Sequence, residues 1–535
     1  MDIVFIVTSA AFFMWLIQNI TTWALLWVEK DYDAKRVFYH LIETAKGKKI
    51  LFSPLSIIKW LAVIFYIYTI FEEKYLFAFH VGVIGIYITQ AFFVLKNIFL
   101  APPQRKLFKR EAIIVVLVSF TTLGLIFVFP LLDKYFWLLF VDRITALIVS
   151  IFIFFITFPI ELMQDKDIEK AIKKIKSQKD LVTIGIVGSY GKSSTKVFLH
   201  QLLARKYKVV KTQGHQITLA EIARTVIRRI KKSTQIFIVE INDFSKGDIK
   251  KVTEVVRPSI GVITGVNPQY LSLFRTLNES TASKKELIEA LPKKSLVVFN
   301  GSDSEVKKLY DIDKKTKMLY FLNKELQETE IDKRAIFAVN KKVLKDRISF
   351  DIMFMNNKIR ITSPLIGRQN IENLLPAIFL ASYLGMSDSE VKKAALTLSP
   401  PASTMVRREN KDGVVFIDDT TSTNPESLFA ALDYMKLYKK KKIVIMQTMI
   451  EIGGEAKNMH IKIAQKIAEQ CDTVFITNND YLSLIEKTIS KSASKCKVLH
   501  TTPKKTAEYI NENTSKGDII LFEGFEAKTV LSRLK

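Results

Sequence analysis

Five long apolar runs within the first 160 residues leave this part of the chain few ways to fold. They lie near residues 3–28, 52–71, 75–100, 112–132 and 135–160. Each approaches or exceeds the ~20 residues that a helix needs to cross a hydrocarbon layer. In such a layer every backbone amide must be satisfied internally, so the runs predict an α-helical transmembrane domain of about five spans over residues 1–160. The first run is not a signal peptide, because it lacks a basic start and a small-residue cleavage site and more spans follow it. The run at 52–71 is interrupted by Pro54 and Lys59.

The connections between the runs alternate in charge. Lys30, Lys35, Arg36, Lys46, Lys48 and Lys49 follow the first run, and Arg105, Lys106, Lys109 and Arg110 follow the third. The connections at Glu72–Lys74 and Asp133–Lys134 are short and carry one lysine each. The positive-inside rule then places the N-terminus outside and the rest of the chain in the cytoplasm, as a multi-pass protein of the inner membrane. Asp142 and Arg143 fall inside the fifth run. Intramembrane charges usually have a task, such as contact with a lipid headgroup or substrate. The simpler reading, that the helix begins near the interface and the pair is wet, is the expectation here.

Beyond residue 160 the chain changes character and becomes lysine-rich and periodic. The formal net charge of +26 invites a nucleic-acid reading, but the lysines are scattered without interleaved stacking aromatics. A cytoplasmic surface facing anionic lipid accounts for them better, and no nucleic-acid partner is expected. Cys471 and Cys496 are the only cysteines, too few for a disulfide framework or a zinc ribbon, and read as inert thiols.

Residues 161–180 form a charged amphipathic linker. From residue 181 strands alternate with helices, which predicts an α/β fold with doubly wound parallel sheets. Ligands bind such sheets beyond the carboxyl ends of the strands. The stretch TIGIVGSYGKSSTKVFLHQLL, from Thr183, reads as a buried strand, a glycine turn and an amphipathic helix. Glycines at 188 and 191 admit close backbone approach, and the helix start favours anions, so Gly188, Ser189, Tyr190, Gly191, Lys192, Ser193 and Ser194 form a phosphate cradle. Lys192 would reach the outer phosphates of ATP, and the Ser193 hydroxyl would bind Mg2+. Further on, QIFIVE is a strand that ends in Glu240, a carboxylate suited to hold the same metal.

The common phosphate loop has a glycine where this chain has Ile186. The spacing G-x-x-G-x-x-G-K-S-S-T at 185–195 instead resembles the Mur ligases, the ATP-dependent amide-forming enzymes of peptidoglycan synthesis. The resemblance covers roughly residues 181–535, as a central ATP-binding domain (181–400) and a Rossmann-like C-terminal domain (401–535). It implies that Glu240 is the metal-associated glutamate. It also implies that Lys284, two residues before Glu286, is the lysine that becomes carbamylated to serve a second Mg2+, and that Lys192, Lys284 and Glu240 are catalytic. Asn370 and Asn373, in GRQNIEN, would lie near the adenine. Residues 301–360 read as a lysine-rich meander of short strands without identifiable chemistry. The segment DDTTSTNPES resembles the D-alanyl-D-alanine-adding, MurF-type branch and brings Asn424 to the nucleotide. His460 lies on a mostly polar helix and reads as a surface residue.

Four positions depart from the family pattern. Ile217, Tyr270, Gln369 and Thr404 stand where the family uses polar catalytic or binding groups, and Thr421-Ser422 replaces a tyrosine-asparagine pair. Arg407 and Arg408 are close enough in sequence to stand in for the arginine replaced by Thr404. The UDP-gripping first domain of the family is replaced by the membrane domain. The resemblance therefore implies a membrane-anchored, ATP- and Mg2+-dependent ligase of cell-wall precursor synthesis. Its partners would be a nucleotide, a muropeptide or other carboxylate acceptor, an amino acid or dipeptide, and the lipid bilayer. A nucleotide-binding pseudoenzyme at the membrane and a ligase making capsule poly-amino acids are the alternatives.

Overall fold

The computed structural model describes residues 3–30, 32, 34–100, 110–128, 132–214, 218–267, 274, 276–312, 316–323, 334–354, 357–449, 452–492 and 494–534. The chain divides into two compact units, Met1–Asp165 and Lys166–Lys535.

The described residues of the first unit are mostly helical, with long helices at Ile3–Glu29, Pro54–Phe71, Leu76–Leu100, Arg110–Val128 and from Lys134 onward. Four stretches are long and apolar enough to cross a membrane: Ile3–Glu29, Gly47–Phe71, Glu73–Lys96 and Lys134–Ser177. The fourth expected run forms the helix Arg110–Val128, apolar over Ile113–Val128. Pro54 does not abolish its helix. It occupies the first turn, where its missing N–H costs nothing, and Ser53 caps that turn by accepting from the Ser56 amide at 3.2 Å. Phe12, Leu16, Ile20, Val83, Leu123 and Leu138 form the interior, while Phe71 and Phe77 are about four-fifths exposed (81% and 78%). Apolar surface of that kind exceeds what water-facing helices carry.

The charged pair in the last helix is not wet. The Asp142 side chain is fully buried, and its oxygens accept from Trp15 Nε1 (2.9 Å), Asn19 Nδ2 (3.1 Å), Arg143 (2.9 Å) and Lys59. The expectation of a solvated interface fails because polar groups of two other helices converge on this carboxylate.

In the second unit a nine-stranded sheet has the order β2-β3-β1-β4-β5-β6-β7-β8-β9. Its strands are β1 (Val182–Val187), β2 (Val209–Lys211), β3 (Ile236–Glu240), β4 (Ile260–Ile263), β5 (Leu296–Asn300), β6 (Thr316–Phe321), β7 (Ala335–Val343), β8 (Ile348–Phe354) and β9 (Asn357–Ser363). Pairing is parallel from β2 to β7, and the β7–β8–β9 meander closes the far edge antiparallel. Strands β1, β3 and β4 are near-continuous apolar runs because helices cover both faces. Helices Lys192–Leu203 and Gln369–Tyr383 pack on one face, and Leu219–Arg229, Asp248–Val256 and Leu277–Ala290 on the other.

A six-stranded sheet follows, in the order β10-β11-β15-β12-β13-β14. It comprises β10 (Val406–Glu409), β11 (Val415–Asp419), β12 (Lys442–Met446), β13 (Thr473–Ile476), β14 (Lys497–Leu499) and β15 (Ile519–Glu523), parallel except for the β10–β11 pair. Both thiols are free and buried, and burial pushes Cys496 up to about 12, so they are unreactive as expected.

Candidate active site

Strand β1 lies between β3 and β4 at the point where the chain order reverses, so its carboxyl end opens into the crevice that such sheets provide. The turn that follows needs glycine. Gly188 has φ +145° and a Cβ there would collide with Thr264 Oγ1; Gly191 has φ +77° and a Cβ would lie 2.6 Å from Asn373 Oδ1. The neighbouring strand pins the loop. The Ser189 amide donates to Gly265 O at 2.6 Å, Thr264 Oγ1 to Tyr190 O at 2.5 Å, and the Tyr190 hydroxyl to Asp303 Oδ2 at 3.0 Å. Gly191 then caps the helix Lys192–Leu203, whose first-turn amides point into the crevice.

Lys192 folds back so that its ammonium donates to Gly188 O at 2.5 Å. Burial lowers its pKa, against the raising influence of Glu240 and Asp243. The Ser193 hydroxyl donates to Glu240 Oε1 at 2.7 Å, and the Glu240 amide is held by Thr212 Oγ1 at 3.0 Å. The other Glu240 oxygen meets the Lys196 ammonium at 2.6 Å, and Lys196 also donates to Gly214 O at 3.0 Å. Both residues are almost fully buried. Lys196, the partner of Glu240, is a residue that sequence reasoning missed. A lysine one turn after Lys192 reads as a solvated helix position, and only the strand opposite makes it a counter-ion.

Lys284 is not solvated either. It is buried, donates to Asp243 Oδ2 at 2.9 Å and Ser280 Oγ at 2.8 Å, and lies over the Phe274 ring. Glu286 accepts from the Gly247 and Lys250 amides at 2.7 and 3.0 Å and so holds the start of the helix Asp248–Val256. Tyr270 and Ile217 lie outside the described residues.

A cavity of about 710 Å³ opens beside the loop. Ser189 to Ser194 and Glu240 line one wall, Arg368 to Asn370, Glu372 and Asn373 another, and Thr404, Thr421 to Asn424 and Glu426 a third. Asn373 abuts the loop at Gly191, whereas the Asn370 amide turns inward to Ile366 O at 2.8 Å. Gln369 presents an amide whose Oε1 and Nε2 have no partner among the described residues. Burial raises the Glu372 carboxyl, which accepts from Asn300 at 2.6 Å. Asn424 caps the helix Pro425–Met435 by accepting from the Ser427 amide at 3.0 Å. Glu426 takes a short hydrogen bond from Asn267, which ties this helix to the end of β4.

Thr404 sits between two left-handed residues, Ser403 (φ +54°) and Met405 (φ +48°), and bonds the Thr421 hydroxyl at 2.8 Å. The two arginines do not stand in at this position. Arg407 bonds Tyr438 (3.2 Å) and Glu409 (2.7 Å), Arg408 pairs with Asp418 at 3.5 Å, and neither lines the cavity. They sit on β10, the edge strand paired with β11, and point to opposite faces of the C-terminal sheet. Beneath the wall, Asp419 accepts from the Met405 amide (3.0 Å), Ser422 Oγ (2.6 Å) and Ser427 Oγ (2.7 Å). It is in register with Glu523 on β15, and burial raises both carboxyls, Glu523 well above the usual range. His460 is not a surface residue. It is fully buried, accepts from the Met449 amide at 3.1 Å, donates to Ala456 O at 2.6 Å and stacks on Tyr481, and burial lowers its pKa.

The donors suit one Mg2+ better than two. Ser193 Oγ and Glu240 are hard oxygen ligands beside the phosphate cradle, as Mg2+ prefers. Around Lys284 the charges are already balanced by Asp243. Among the described residues no three His, Cys, Asp or Glu side chains cluster as a metal site.

Comparisons with known proteins agree with this architecture. The Mur ligase middle domain matches residues 186–381, and the Mur ligase glutamate ligase domain matches residues 404–525. The UDP-N-acetylmuramoyl-tripeptide–D-alanyl-D-alanine ligase of Bacillus subtilis is 25% identical over 64% of this chain and 72% of its own length. The enzyme of that name from Mycobacterium bovis is 28% identical over 53% of this chain and 56% of its own. Curated relatives of this name are matched over 56 to 72% of their length. Among solved structures, MurF from Acinetobacter baumannii superposes with a TM-score of 0.62 at 19% identity, covering 69% of this chain and 80% of that one. MurF from Thermotoga maritima, in complex with ADP, gives 0.59 at 20%, covering 69% and 83%. At these identities the structures establish the fold alone.

Proposed function

This chain belongs to the Mur ligase family, and on that premise we propose that it is a membrane-anchored, MurF-like ligase that joins a muropeptide carboxylate to an amino acid or dipeptide. The observation that carries this reading is a continuous cavity between the phosphate loop and the start of the helix Pro425–Met435. A nucleotide bound at the loop would there face whatever the C-terminal domain presents.

In the first half-reaction a substrate carboxylate oxygen attacks the γ-phosphorus of ATP, the bond to the β-phosphate oxygen breaks, and ADP leaves an acyl phosphate. In the second the amine attacks the acyl carbon, the acyl–oxygen bond breaks, and phosphate and a proton depart with the amide formed. Such transfers depend on positioning and neutralised charge. The amides of residues 189–193 and the dipole of the helix Lys192–Leu203 would hold the phosphates. Lys192 would leave Gly188 O for the outer phosphate oxygens. Ser193 and Glu240 would hold Mg2+, which when bound neutralises charge on the phosphates. Lys196 keeps Glu240 oriented, and the Asn267–Glu426 bond keeps the third wall close. Lys284 stands in this reading as an ammonium that sets the charge around Asp243, and its carbamylation would place a further oxygen donor there.

The first unit would fix the enzyme in the inner membrane with its catalytic unit in the cytoplasm. The exposed apolar helices and the basic segment after the first of them support this placement. The test is phosphate release from ATP by the full-length protein in detergent, with Lys192→Ala beside it. Release that requires both a muropeptide and D-alanyl-D-alanine is expected. Release indifferent to every carboxylate and amine pair, or equal in the variant, would overturn the reading.

A further inference from the structure

We propose that the helical unit holds the phosphate group of an amphipathic lipid against Arg143 and Lys59. The inference rests on the reading that this unit lies in the bilayer, and goes beyond it by assigning a binding site there.

The charge count carries the argument. Asp142 is saturated: one oxygen takes Trp15 and Asn19, the other takes Lys59 and Arg143. One carboxylate therefore faces two cations, and the cluster keeps a positive charge within an apolar bundle. A simple structural ion pair would need only one of them. Uncompensated charge at such depth is costly, and an anion would remove the cost.

Hydrogen-bonding capacity is left over as well. Arg143 Nε is buried and has no partner among the described residues, and Nη1 reaches only Ser56 Oγ at 3.4 Å. Lys59, 1% exposed, uses one N–H on Asp142, while its other close neighbours are the faces of Trp15 (4.6 Å) and Tyr87 (5.2 Å). A planar guanidinium with a spare N–H edge matches phosphate oxygens.

The Arg143 side chain is 19% exposed. Arg143 lies 5.6 Å from the ring of Trp60, which is 54% exposed, and Leu61 and Ile64 beyond it are exposed too. A headgroup would enter from the lipid side with its chains along that strip, which favours an amphiphile over a soluble anion. Lys59 lies five residues into the helix Pro54–Phe71, about 7–8 Å from its N-terminus. That end follows the basic segment of residues 30–49.

The test uses the full-length protein in neutral detergent. Binding of short-chain fluorescent phosphatidylglycerol is compared with phosphatidylcholine, with inorganic phosphate as competitor. The wild type is expected to prefer the anionic lipid by at least about tenfold, the scale of one charge-assisted hydrogen bond. Arg143→Gln should abolish that preference, Arg143→Lys should keep part of it, and Asp142→Asn, with one more uncompensated charge, should strengthen it. Equal affinity for the two lipids, an unaltered preference in Arg143→Gln, or full competition by millimolar inorganic phosphate would overturn the proposal. Should Arg143→Gln fail to fold, Arg143→Lys and Asp142→Asn still decide, because a merely structural cluster predicts no change of preference in either. Retention on membranes through an alkaline wash is measured separately: release sinks the anchoring, whereas retained protein without lipid preference sinks only this site.

Discussion

Replacing Lys196 by methionine tests whether Glu240 is held as a buried anion. Lys196 and Glu240 are 2% and 1% exposed, with the ammonium 2.6 Å from the carboxylate. At an effective dielectric constant of ~20, two unit charges at that separation attract by about 6 kcal/mol. Removing one member of a buried pair costs about 3–5 kcal/mol, because the remaining charge is stranded. Lys196→Met should therefore destabilise by several kcal/mol, although methionine fills much the same space. The double variant Lys196→Met/Glu240→Gln strands no charge and should recover about 2 kcal/mol of that loss. Because the chain has more than one domain, a single global transition is not a safe readout. Hydrogen exchange of the amides in the helix Lys192–Leu203 reports the site directly. Millimolar Mg2+ should protect these amides more in Lys196→Met than in the wild type, since a carboxylate oxygen has been vacated for it. A double variant as unstable as the two single ones combined, with no magnesium effect, would refute the reasoning.

Lys192→Ala should reduce ATP turnover at least about 100-fold while changing stability by less than about 1 kcal/mol, because among the described residues Lys192 hydrogen-bonds only Gly188 O; turnover and melting curves check both. Gly188→Ala combines a φ of +145° with a clash against Thr264, and nucleotide affinity measured by calorimetry should fall by more than in Gly214→Ala, where a Cβ meets nothing within 4 Å. The raised carboxyl of Glu523 binds more protons folded than unfolded, so its contribution is complete below pH 4.5 and is lost as pH rises. Glu523→Gln should thus be more stable than the wild type by a margin that widens from about pH 5 to about pH 8, since only the wild type holds in the folded state a proton that its unfolded chain releases; an equal margin in urea titrations at both values would contradict this.

How much of this was legible in the sequence depended on whether a residue's role is local. The phosphate loop was readable because strand, glycines and helix follow one another, and Glu240 because it ends a strand. The membrane-length runs were readable for the same reason. Asp142, Lys196 and His460 were not. Each is buried by elements distant in sequence: Trp15 and Lys59 for the first, β3 for the second, Tyr481 for the third. A periodicity argument sees only a residue's own helix, and on that helix all three looked wet. Arg407 and Arg408 failed differently: proximity in sequence to Thr404 said nothing about which way β10 would turn them.

Tyr190 and Asp303 bear on the timing of nucleotide capture. Asp303 receives the Tyr190 hydroxyl and the Val266 amide through one oxygen, while the other caps the helix Ser304–Ile312 through the Glu305 and Val306 amides at 2.9 and 3.0 Å. Three chain segments thus set the curve of residues 188–191 before any ligand arrives. A loop that must crystallise around its guest spends part of the guest's affinity on its own ordering. This one is cast in advance, so arrival and departure of a triphosphate would be governed by the neighbouring walls rather than by the mould itself.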